Sequence, residues 1–382
     1  MSNTLLIISL SPLRRDPRVL KQINLFKDRY KVITCGYGPA PDGVAGHVQI
    51  AEELVGWPRD PKRLALRRYL DVYWSVLGVA EAYRHLRGQR FGAILANDLN
   101  TLPLALSLES EHGVHADLHE FGPKEHFDKP AWRILVAPYM RWICSTYLGQ
   151  AASVTTVSDG IARQYRLDYG VDAEVVTNAA PYVSMEPRPT TDRIRLIHSA
   201  GGQRYRKIED IIEAFRNAPR GLELDLIVMP NEPDYVAELR ELAAGIPAVN
   251  FREPVPYDRL VETVAEYDVA IAYLPPTNFN LAQALPNKFF EAVQARTGLI
   301  IGPSPAMQEL LERHGLGATA RDFTTEALSE VLASLTPELV DGWKQNAHAA
   351  AAELSSEHQN RGWDEAIDAL LCPSGTAADS AR

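Results

Sequence analysis

Three basic residues follow a short apolar run near the middle of the chain. The run Arg195–Ser199 is typical of a buried strand, and a Gly-Gly turn that includes Gly202 separates it from Arg204, Arg206 and Lys207. Adjacent glycines let the backbone turn closely, and the N-terminus of a following helix favours anions. Arginine binds phosphate oxygens bidentately and lysine acts as a point charge. The pattern fits a phosphate site, but a solvated basic helix start explains it equally well.

A fourth cation lies beside a carboxylate at another predicted helix start. Asn287, Lys288 and Glu291 follow Pro286, and proline is common at the start of a helix. Lys288 and Glu291 are three residues apart, so they share one helix face. A lysine there suits a diphosphate, and a carboxylate one turn later suits a pair of ribose hydroxyls. An exposed ion pair on a helix surface would produce the same spacing.

Polar side chains also end two predicted strands of the first half. His119 and Glu120 follow one strand, and Asp98 follows another. A histidine there can act as a proton acceptor, and an aspartate can bind a hydroxyl group. A structural histidine and a helix-capping aspartate are the alternatives. The spacing of His119 with Glu125 and His126 fits no usual zinc site, so we expect no metal.

The elements that must position these residues alternate along the whole chain. Val/Ile/Leu-rich runs alternate with amphipathic helical segments, which is typical of parallel sheets with crossover helices. We predict strands at Thr4–Leu10, Lys31–Cys35, Ala93–Asn97, Val114–Leu118, Val154–Val157, Glu174–Thr177, Arg195–Ser199, Glu223–Met229, Asp268–Leu274 and Gly298–Gly302. Two such series predict an α/β protein with two doubly wound, Rossmann-like parallel-sheet domains. A cleft between the domains is the expected ligand site.

A proline-rich polar segment at 186–192 interrupts both helix and strand patterns. We therefore expect a first domain over residues 1–187 and a second over 188–354. A C-terminal helix over 355–372 is expected to pack back on the first domain, and a tail over 373–382 to be disordered.

Composition excludes several classes of protein. The chain has 382 residues, 46% hydrophobic and 23% charged, which is typical of globular domains. Three cysteines are too few for a disulfide framework, and the N-terminal run has no signal-peptide pattern, so we expect a cytoplasmic protein. Residues 188–382 carry 18 Lys and Arg against 29 Asp and Glu. This acidity argues against nucleic-acid binding.

Residues 59–90 contrast with this acidity, since eight Lys and Arg stand against three acidic residues. Trp57, Tyr69, Tyr73 and Trp74 lie within or beside the segment. Basic residues with interleaved aromatic rings suit an anionic membrane surface. The alternative is that the rings enter the core of the first domain. The segment is therefore a candidate for peripheral membrane contact.

Short motifs also occur in a fixed order along nearly the whole chain. They are Asp16-Pro-Arg-Val-Leu-Lys21, Asn97-Asp98, Asp117-Leu-His119-Glu120, Val157-Ser-Asp-Gly160, Val176-Thr-Asn178-Ala-Ala-Pro181, residues 201–207 and Pro286-Asn-Lys-Phe-Phe-Glu291. Together they resemble glycosyltransferase family 4 and its GT-B relatives. The resemblance implies a GT-B architecture and a hexosyltransferase that acts in polysaccharide biosynthesis. Such an enzyme moves a sugar from a nucleotide donor, such as a UDP- or GDP-sugar, to a glycan, lipid-linked or small-molecule acceptor.

The same resemblance implies retention of anomeric configuration, no metal and no cofactor apart from the donor substrate. It assigns catalysis to His119, Arg204 and Lys207. It places the acceptor beside Asp98 and Glu120. The donor-binding residues that it implies are Gly202, Arg204, Arg206, Lys207, Pro230, Val255, Asn287, Lys288 and Glu291.

One departure concerns the donor sugar. The family often has two glutamates separated by seven residues, but Gln283 stands eight positions before Glu291. The sequence therefore leaves open whether Gln283 contacts the donor sugar and whether the protein is catalytically active. A nucleotide-sugar epimerase of GT-B fold and a non-catalytic protein that binds sugar nucleotides or glycans are the alternative functions.

Overall fold

The computed structural model describes residues 3–256 and 259–372. They form two compact units. One unit holds the residues up to Val176 and those from Asn360 onward, and the other holds Thr177–Gln359. Each unit has its own parallel sheet, which confirms the prediction of two doubly wound α/β domains. The tail predicted over 373–382 lies outside the described residues.

The first unit is built on a seven-stranded sheet with the order β3-β2-β1-β5-β7-β8-β9, and a separate pair joins β4 to β6. The strands are β1 (Thr4–Pro12), β2 (Lys31–Tyr37), β3 (Gly46–Ile50), β4 (Arg90–Phe91), β5 (Ala93–Asn97), β6 (Glu109–Ser110), β7 (Val114–Leu118), β8 (Ser153–Thr156) and β9 (Glu174–Val175). The helices are α1 (Pro17–Phe26), α2 (Pro61–Ala65), α3 (Tyr69–Trp74), α4 (Leu77–Leu86), α5 (Leu102–Leu106), α6 (Ala137–Tyr147) and α7 (Asp159–Tyr169).

The second unit is built on a six-stranded sheet with the order β12-β11-β10-β13-β14-β15. The strands are β10 (Ile194–Gly201), β11 (Leu222–Met229), β12 (Val249–Arg252), β13 (Val269–Ala272), β14 (Gly298–Ile301) and β15 (Gly317–Thr319). The helices are α8 (Ile208–Ala214), α9 (Pro233–Ala244), α10 (Leu260–Val264), α11 (Phe279–Ala282), α12 (Asn287–Gln294), α13 (Pro305–His314), α14 (Thr325–Ala333), α15 (Pro337–Ala350) and α16 (Ser356–Gln359). Successive β10 residues such as Leu196 and Ile197 enter different hydrophobic cores, one on each face of the sheet.

The strand order in each sheet reverses at one point, between β1 and β5 in the first unit and between β10 and β13 in the second. In open parallel sheets, ligands bind outside the carboxyl ends of the strands at such a switch point. Asp98 and His119 follow β5 and β7 in the first unit, whereas residues 202–207 follow β10 in the second. The fold therefore places the predicted site residues at the ligand-binding edge of each sheet.

All ten predicted strands overlap strands of the structure, but the sequence patterns missed β3, β4, β6, β12 and β15. β4 and β6 are two-residue strands of a separate pair, whereas β3, β12 and β15 lie at sheet edges and are only partly buried. A strand that is exposed along much of its length needs no continuous apolar run. The missed strands consequently left no strong signal in the sequence.

The division between the units differs from the boundary predicted at residue 187. Residues 177–187 belong to the second unit, where the N–H of Tyr182 donates to Glu357 and the N–H of Val183 donates to Gln294. The helix predicted over 355–372 is two helices, α16 in the second unit and α17 (Arg361–Leu371) in the first. The chain thus returns to the first unit at Asn360.

Helix α17 packs into the core of the first unit. Trp363, Ile367 and Leu371 are buried in one cluster with residues of β1, β5 and α1. The Arg18 guanidinium lies 4.5 Å from the centre of the Trp363 ring, within the range of a cation–π contact. The C-terminal helix is therefore part of the hydrophobic core that supports the first sheet.

We expect Trp363→Ala to lower the free energy of unfolding of the first unit by roughly 3–5 kcal/mol, because Trp363 is fully buried and its loss leaves a cavity. Urea denaturation followed by circular dichroism measures this change. The matched control is Glu365→Ala, which changes an exposed residue of the same helix and should alter stability by less than about 0.5 kcal/mol. Equal unfolding midpoints for the two variants would contradict this account of α17.

Candidate functional site

The carboxyl edge of the first sheet is organised around Asp117, a fully buried residue of β7. Arg18 of α1 donates from Nε and Nη2 to the two Asp117 carboxylate oxygens, at 2.7 and 2.6 Å. Thr155 and Gln22 donate to the same oxygens at 2.7 and 2.8 Å. Burial alone would raise the pKa of Asp117, but Arg18 and hydrogen bonds from His119 and Arg18 hold it well below its usual range. Asp117 is therefore an ionised anchor beneath the site.

His119 follows β7 and contacts carboxylates through both ring nitrogens. Its Nε2 lies 3.2 Å from Asn97 Oδ1 and 3.4 Å from Asp117 Oδ2, and its Nδ1 lies 3.4 Å from Asp98 Oδ1. Burial works to lower the pKa of His119, but Asp98 and Asp117 outweigh burial and the net shift is upward. The arrangement favours a protonated ring that donates hydrogen bonds over the proton-accepting role considered from sequence.

Asp98 has an unusual backbone conformation, with φ 67° and ψ 151°. Glycine occupies this region readily, whereas another residue there costs roughly 1–3 kcal/mol. The Asp98 N–H donates to the carbonyl of Asp117 at 2.8 Å, which holds the ends of β5 and β7 together. Within the described residues, the Asp98 side chain makes no hydrogen bond that caps the following helical turn. The Asp98 carboxylate faces His119 instead. This contact, at a residue with a strained backbone, supports a role of Asp98 in the site.

Asp98, His119 and Glu120 line one cavity of about 410 Å³ in the first unit. Glu125 and Trp132 also line it, although neither was assigned a role from sequence. Burial, followed by the charges of Glu125 and Asp98, raises the pKa of Glu120 to about 7. The structure therefore brings both predicted acceptor-side carboxylates and the predicted catalytic histidine into a single cavity.

At the carboxyl edge of the second sheet, Gly202 holds the ends of β10 and β11 close together. Its N–H donates to the carbonyl of Met229 at 2.8 Å, and its own carbonyl accepts from the N–H of Glu232 at 3.0 Å. A Cβ atom at Gly202 would lie 2.4 Å from Val236 Cγ2 and 2.8 Å from the Met229 carbonyl oxygen. The strand ends approach this closely only because position 202 is glycine.

The three basic residues of the following turn have different surroundings. Arg204 is exposed and makes a bidentate ion pair with Glu238 of α9, at 2.8 and 2.5 Å. Arg206 is half-buried and donates from Nε to Gln203 Oε1 at 3.0 Å. Lys207 has a left-handed backbone, with φ 55°, directly before α8. Because an exposed ion pair contributes little to stability, Arg204 can exchange Glu238 for another anion at small cost.

Lys288 lies at the start of α12 and donates from Nζ to the carbonyl of Ser199 at 2.7 Å. This hydrogen bond joins α12 to the end of β10. Burial and the nearby positive charge of Arg206 lower the pKa of Lys288 to about 7, and Glu291 opposes that shift. Glu291 is only 5% exposed, which contradicts the alternative of an exposed ion pair between Lys288 and Glu291 on a helix surface.

His198, which the sequence patterns did not single out, lies beside this cluster in β10. Its Nδ1 donates to the carbonyl of Ile271 at 2.8 Å. Burial, together with the charge of Lys288, lowers the pKa of His198 to about 3, so the ring is neutral near pH 7. The cationic character of this edge therefore comes from Arg206 and Lys288 and not from the histidine.

The remaining predicted donor-side residues follow neighbouring strands at the same edge. Pro230 comes directly after β11, Val255 follows β12, and Asn287 begins α12. Gln283 directly follows α11, and its Oε1 is shielded from solvent and has no hydrogen-bond partner among the described residues. The structure thus gathers the predicted donor-side residues around the carboxyl ends of β10–β13, while the role of each in binding stays a prediction.

The aromatic residues of the basic segment pack within the first unit. Tyr73 is fully buried and donates to the carbonyl of Asn100 at 3.0 Å, and Tyr69 packs against Tyr139 with ring centres 5.8 Å apart. Leu66 is nevertheless 71% exposed beside these rings. No helix in the described ranges is long and apolar enough to cross a bilayer. Peripheral membrane contact through residues 59–90 stays a prediction.

The described residues contain no group of three or more His, Cys, Asp or Glu side chains that could hold a metal ion.

The sequence patterns also missed the residues that hold His119 in place. Gln22 and Arg18 lie in α1, and Arg18 is 99 positions from its partner Asp117. Both Arg18 and Asp117 occur in the ordered motifs, but nothing in those motifs says that they pair.

No protein-family model and no curated protein sequence matches this chain. Solved structures are similar over nearly its whole length. Anabaena HepE in complex with UDP aligns with a TM-score of 0.66 at 14% identity, covering 97% of this chain and 100% of HepE. Sucrose-phosphate synthase from Thermosynechococcus elongatus aligns with a TM-score of 0.70 at 13% identity, covering 97% and 100%.

The α,α-trehalose 6-phosphate synthase from Burkholderia multivorans aligns with a TM-score of 0.65 at 11% identity, covering 100% of this chain and 99% of the synthase. At these identities the likeness concerns the fold. The chain therefore has the fold of these proteins, in agreement with the GT-B architecture expected from the motifs.

We expect Asp98→Asn to lower the pKa of His119, because the Asp98 carboxylate is the largest influence that raises it. The ¹H NMR titration of the His119 ring measures this shift. Asp42→Asn, which changes a carboxylate with a 99% exposed side chain, is the control and should leave the His119 titration unchanged. An unchanged His119 pKa in Asp98→Asn would contradict this geometry.

The raised pKa of His119 also determines how the stability of the fold depends on pH. The stabilisation by protonated His119 is full below its ordinary pKa of about 6.5 and is lost as the pH rises through the folded-state pKa.

Proposed function

We propose that this chain is a GT-B glycosyltransferase that binds a nucleoside-diphosphate sugar at the carboxyl edge of the second sheet. The observation that carries the proposal is the cluster of Arg206, Lys288 and Glu291 at the switch point between β10 and β13. Arg206 lies close enough to lower the pKa of Lys288, and two neighbouring cations favour binding of an anion. The glycine at 202 allows the ends of β10 and β11 to approach closely at this edge.

The solved structures with this fold support a nucleotide as that anion. Anabaena HepE has been solved with UDP and with UDP-glucose, and an Escherichia coli protein of the same fold with UDP-2-fluoro glucose. A uridine diphosphate sugar is therefore the first donor to test. By the resemblance of the motifs, Glu291 binds the ribose hydroxyls, and the loops that contain Pro230 and Val255 flank the base.

Cleavage of the bond between sugar and phosphate builds negative charge on the departing diphosphate. Arg204, Arg206 and Lys207, with Lys288 at the N-terminus of α12, are the groups that stabilise this charge in the proposal. Positive groups that are already in place lower the barrier without first having to reorganise. The reaction accordingly runs without a metal ion, and the resemblance of the motifs implies retention at the anomeric carbon.

The first unit supplies the acceptor side of the proposed reaction. In the proposal, Nδ1–H of a protonated His119 exchanges its 3.4 Å contact with Asp98 for a hydrogen bond to the transferred sugar. Asp98 and Glu120 then accept hydrogen bonds from acceptor hydroxyls. Glu120, with a pKa of about 7, exchanges a proton readily near neutral pH. Gln283 replaces a carboxylate by an amide, which can still donate to and accept from sugar hydroxyls.

We expect Arg204→Ala, Arg206→Ala, Lys288→Ala and Glu291→Ala each to weaken UDP binding, by about 10-fold or more where a hydrogen bond to a charged group is lost. Isothermal titration with UDP measures the change. Arg216→Ala, which removes an exposed arginine paired with Glu213, is the control and should bind like the wild type. In an assay of UDP release from UDP-glucose, His119→Ala should lose turnover but keep UDP affinity. Unchanged UDP affinity in all four variants would contradict the proposed donor site.

The lowered pKa of Lys288 predicts that UDP binding takes up protons. At pH 8 much of Lys288 is neutral, since its pKa is about 7, and a diphosphate stabilises the ammonium form. UDP affinity should therefore fall as the pH rises from 6.5 to 8.5, and binding enthalpies should vary with the ionisation enthalpy of the buffer. Lys288→Met should remove this uptake. An equal proton uptake in wild type and Lys288→Met would show that another group is responsible.

A further inference from the structure

The cavity of the first unit contains polar atoms that none of the roles described so far uses. Three of them, Arg59 Nε, Asn100 Oδ1 and Trp132 Nε1, are shielded from solvent and have no hydrogen-bond partner within the described part of the chain. Two of these atoms are donors and one is an acceptor. Buried polar atoms are normally satisfied, so three unsatisfied ones on residues that line one cavity point to a binding site there.

Acidic side chains outnumber cationic ones at this cavity, where Asp98, Glu120 and Glu125 stand against Arg59 and His119. Burial raises the pKa values of Asp98 and Glu125, and the neighbouring carboxylates add to the shift. Glu120 lines the same cavity, so three acidic side chains surround it. Arg59 lies close enough to Glu125 to oppose the shift there. A ligand that carries a phosphate or carboxylate would meet electrostatic repulsion, whereas hydroxyl groups can donate to the carboxylates.

The walls of the cavity include two indole rings that other side chains hold in place. The Arg59 guanidinium lies 5.9 Å from the centre of the Trp57 ring and 5.6 Å from that of Trp132. The His126 ring meets Trp132 edge to face, with centres 4.7 Å apart and planes at 87°. An indole offers an apolar surface together with one N–H donor. Apolar walls with a few placed polar groups suit a ring that has C–H faces and hydroxyl edges.

We infer that this cavity binds the acceptor as an uncharged, hydroxyl-rich glycosyl ring and rejects acceptors that place a phosphate or carboxylate there. Trp132 and Arg59 donate to ring or hydroxyl oxygens, and Asn100 accepts from a hydroxyl. Glu125 excludes anions. The volume of about 410 Å³ lies in the range of small-molecule sites, which suits one or two sugar rings. This inference rests on the proposed function, because it names the acceptor class of the same reaction.

Saturation-transfer NMR on the full chain tests the inference. The probes are the methyl glycosides of neutral hexoses and N-acetylhexosamines, with neutral disaccharides, each compared with its 6-phosphate or uronic acid. Neutral probes should bind at least about 10-fold more tightly than their charged partners. Trp132→Phe, which removes the N–H donor, should weaken neutral binding by about 3- to 10-fold, the effect of one lost hydrogen bond. Glu125→Gln should reduce the discrimination against phosphate.

Matched variants control for indirect effects. Trp74→Phe changes an indole that packs on Tyr73 and Tyr83 in the same unit and should bind neutral probes like the wild type. Asn100→Ala is a second test of the cavity if Trp132→Phe disturbs folding, as judged by circular dichroism. Equal binding of neutral and charged probes, undiminished neutral binding in Trp132→Phe and Asn100→Ala, or no binding of any neutral probe would each overturn the inference.

UDP titration of the same samples separates this inference from the proposed donor site. All cavity variants should keep the UDP affinity of the wild type. If the wild type binds UDP but none of the neutral probes, the inference is overturned and the proposed function stands. Absence of UDP binding in the wild type would contradict the proposed function, whether or not the sugar probes bind.

Discussion

The buried ion pair between Arg18 and Asp117 is the interaction on which the first unit depends most. A carboxylate that is fully shielded from water is very unfavourable unless a cation and several donors surround it. Arg18 supplies the cation, and it also donates to the carbonyl of Val176 at 2.9 Å and stacks on Trp363 of α17. One side chain thereby joins α1 and β7 to α17 and to Val176, the last residue of the unit before the chain enters the second unit.

The same pair also determines the chemistry of the neighbouring edge. Because Asp117 stays ionised, it holds Nε2 of His119 and, together with Asp98, favours the protonated ring. The strained backbone of Asp98 then places a second carboxylate on the other ring nitrogen. Stability and proposed function conflict here, since a glycine at 98 would relieve the strain but remove the carboxylate that faces the cavity.

The two sheets present opposite charges at their carboxyl edges, although both are built in the same way. Carboxylates surround the cavity of the first unit, whereas Arg206 and Lys288 gather at the switch point of the second. The overall charge of the chain gives the reverse impression, since residues 188–382 are strongly acidic and 1–187 are not. The surplus acids of the second unit include exposed residues such as Glu238, and the local cluster, not the net charge, decides which ligand is favoured.

Much of the fold followed from sequence because parallel strands that are buried on both faces need continuous apolar runs, as in Leu5–Ile8. Strand ends located in this way also located His119 and Asp98, whereas Lys288 followed from a predicted helix start. The edge strands β3 and β15 were missed because partial exposure removes that pattern.

The cavity residues Arg59, Asn100 and Trp132 were missed for a different reason. They come from three separate segments, since Arg59 precedes α2, Asn100 lies in a helical turn after β5 and Trp132 begins a helical turn before α6, and no local spacing connects them. Likewise, the sequence predicted a cation at 204 but gave no sign that the arginine would pair with Glu238, because that contact depends on how α9 packs beside α8 and β12. Contacts between distant segments are a property of the tertiary structure.

The central claim is that the carboxyl edge of the second sheet binds a nucleoside diphosphate. Hydrogen exchange measured by mass spectrometry, with and without UDP, tests it most directly because it reports where the ligand acts. The account predicts slower exchange in peptides that cover residues 201–207 and 287–291, and unchanged exchange around the cavity of the first unit. Protection confined to the first unit, or no protection at saturating UDP, would contradict it.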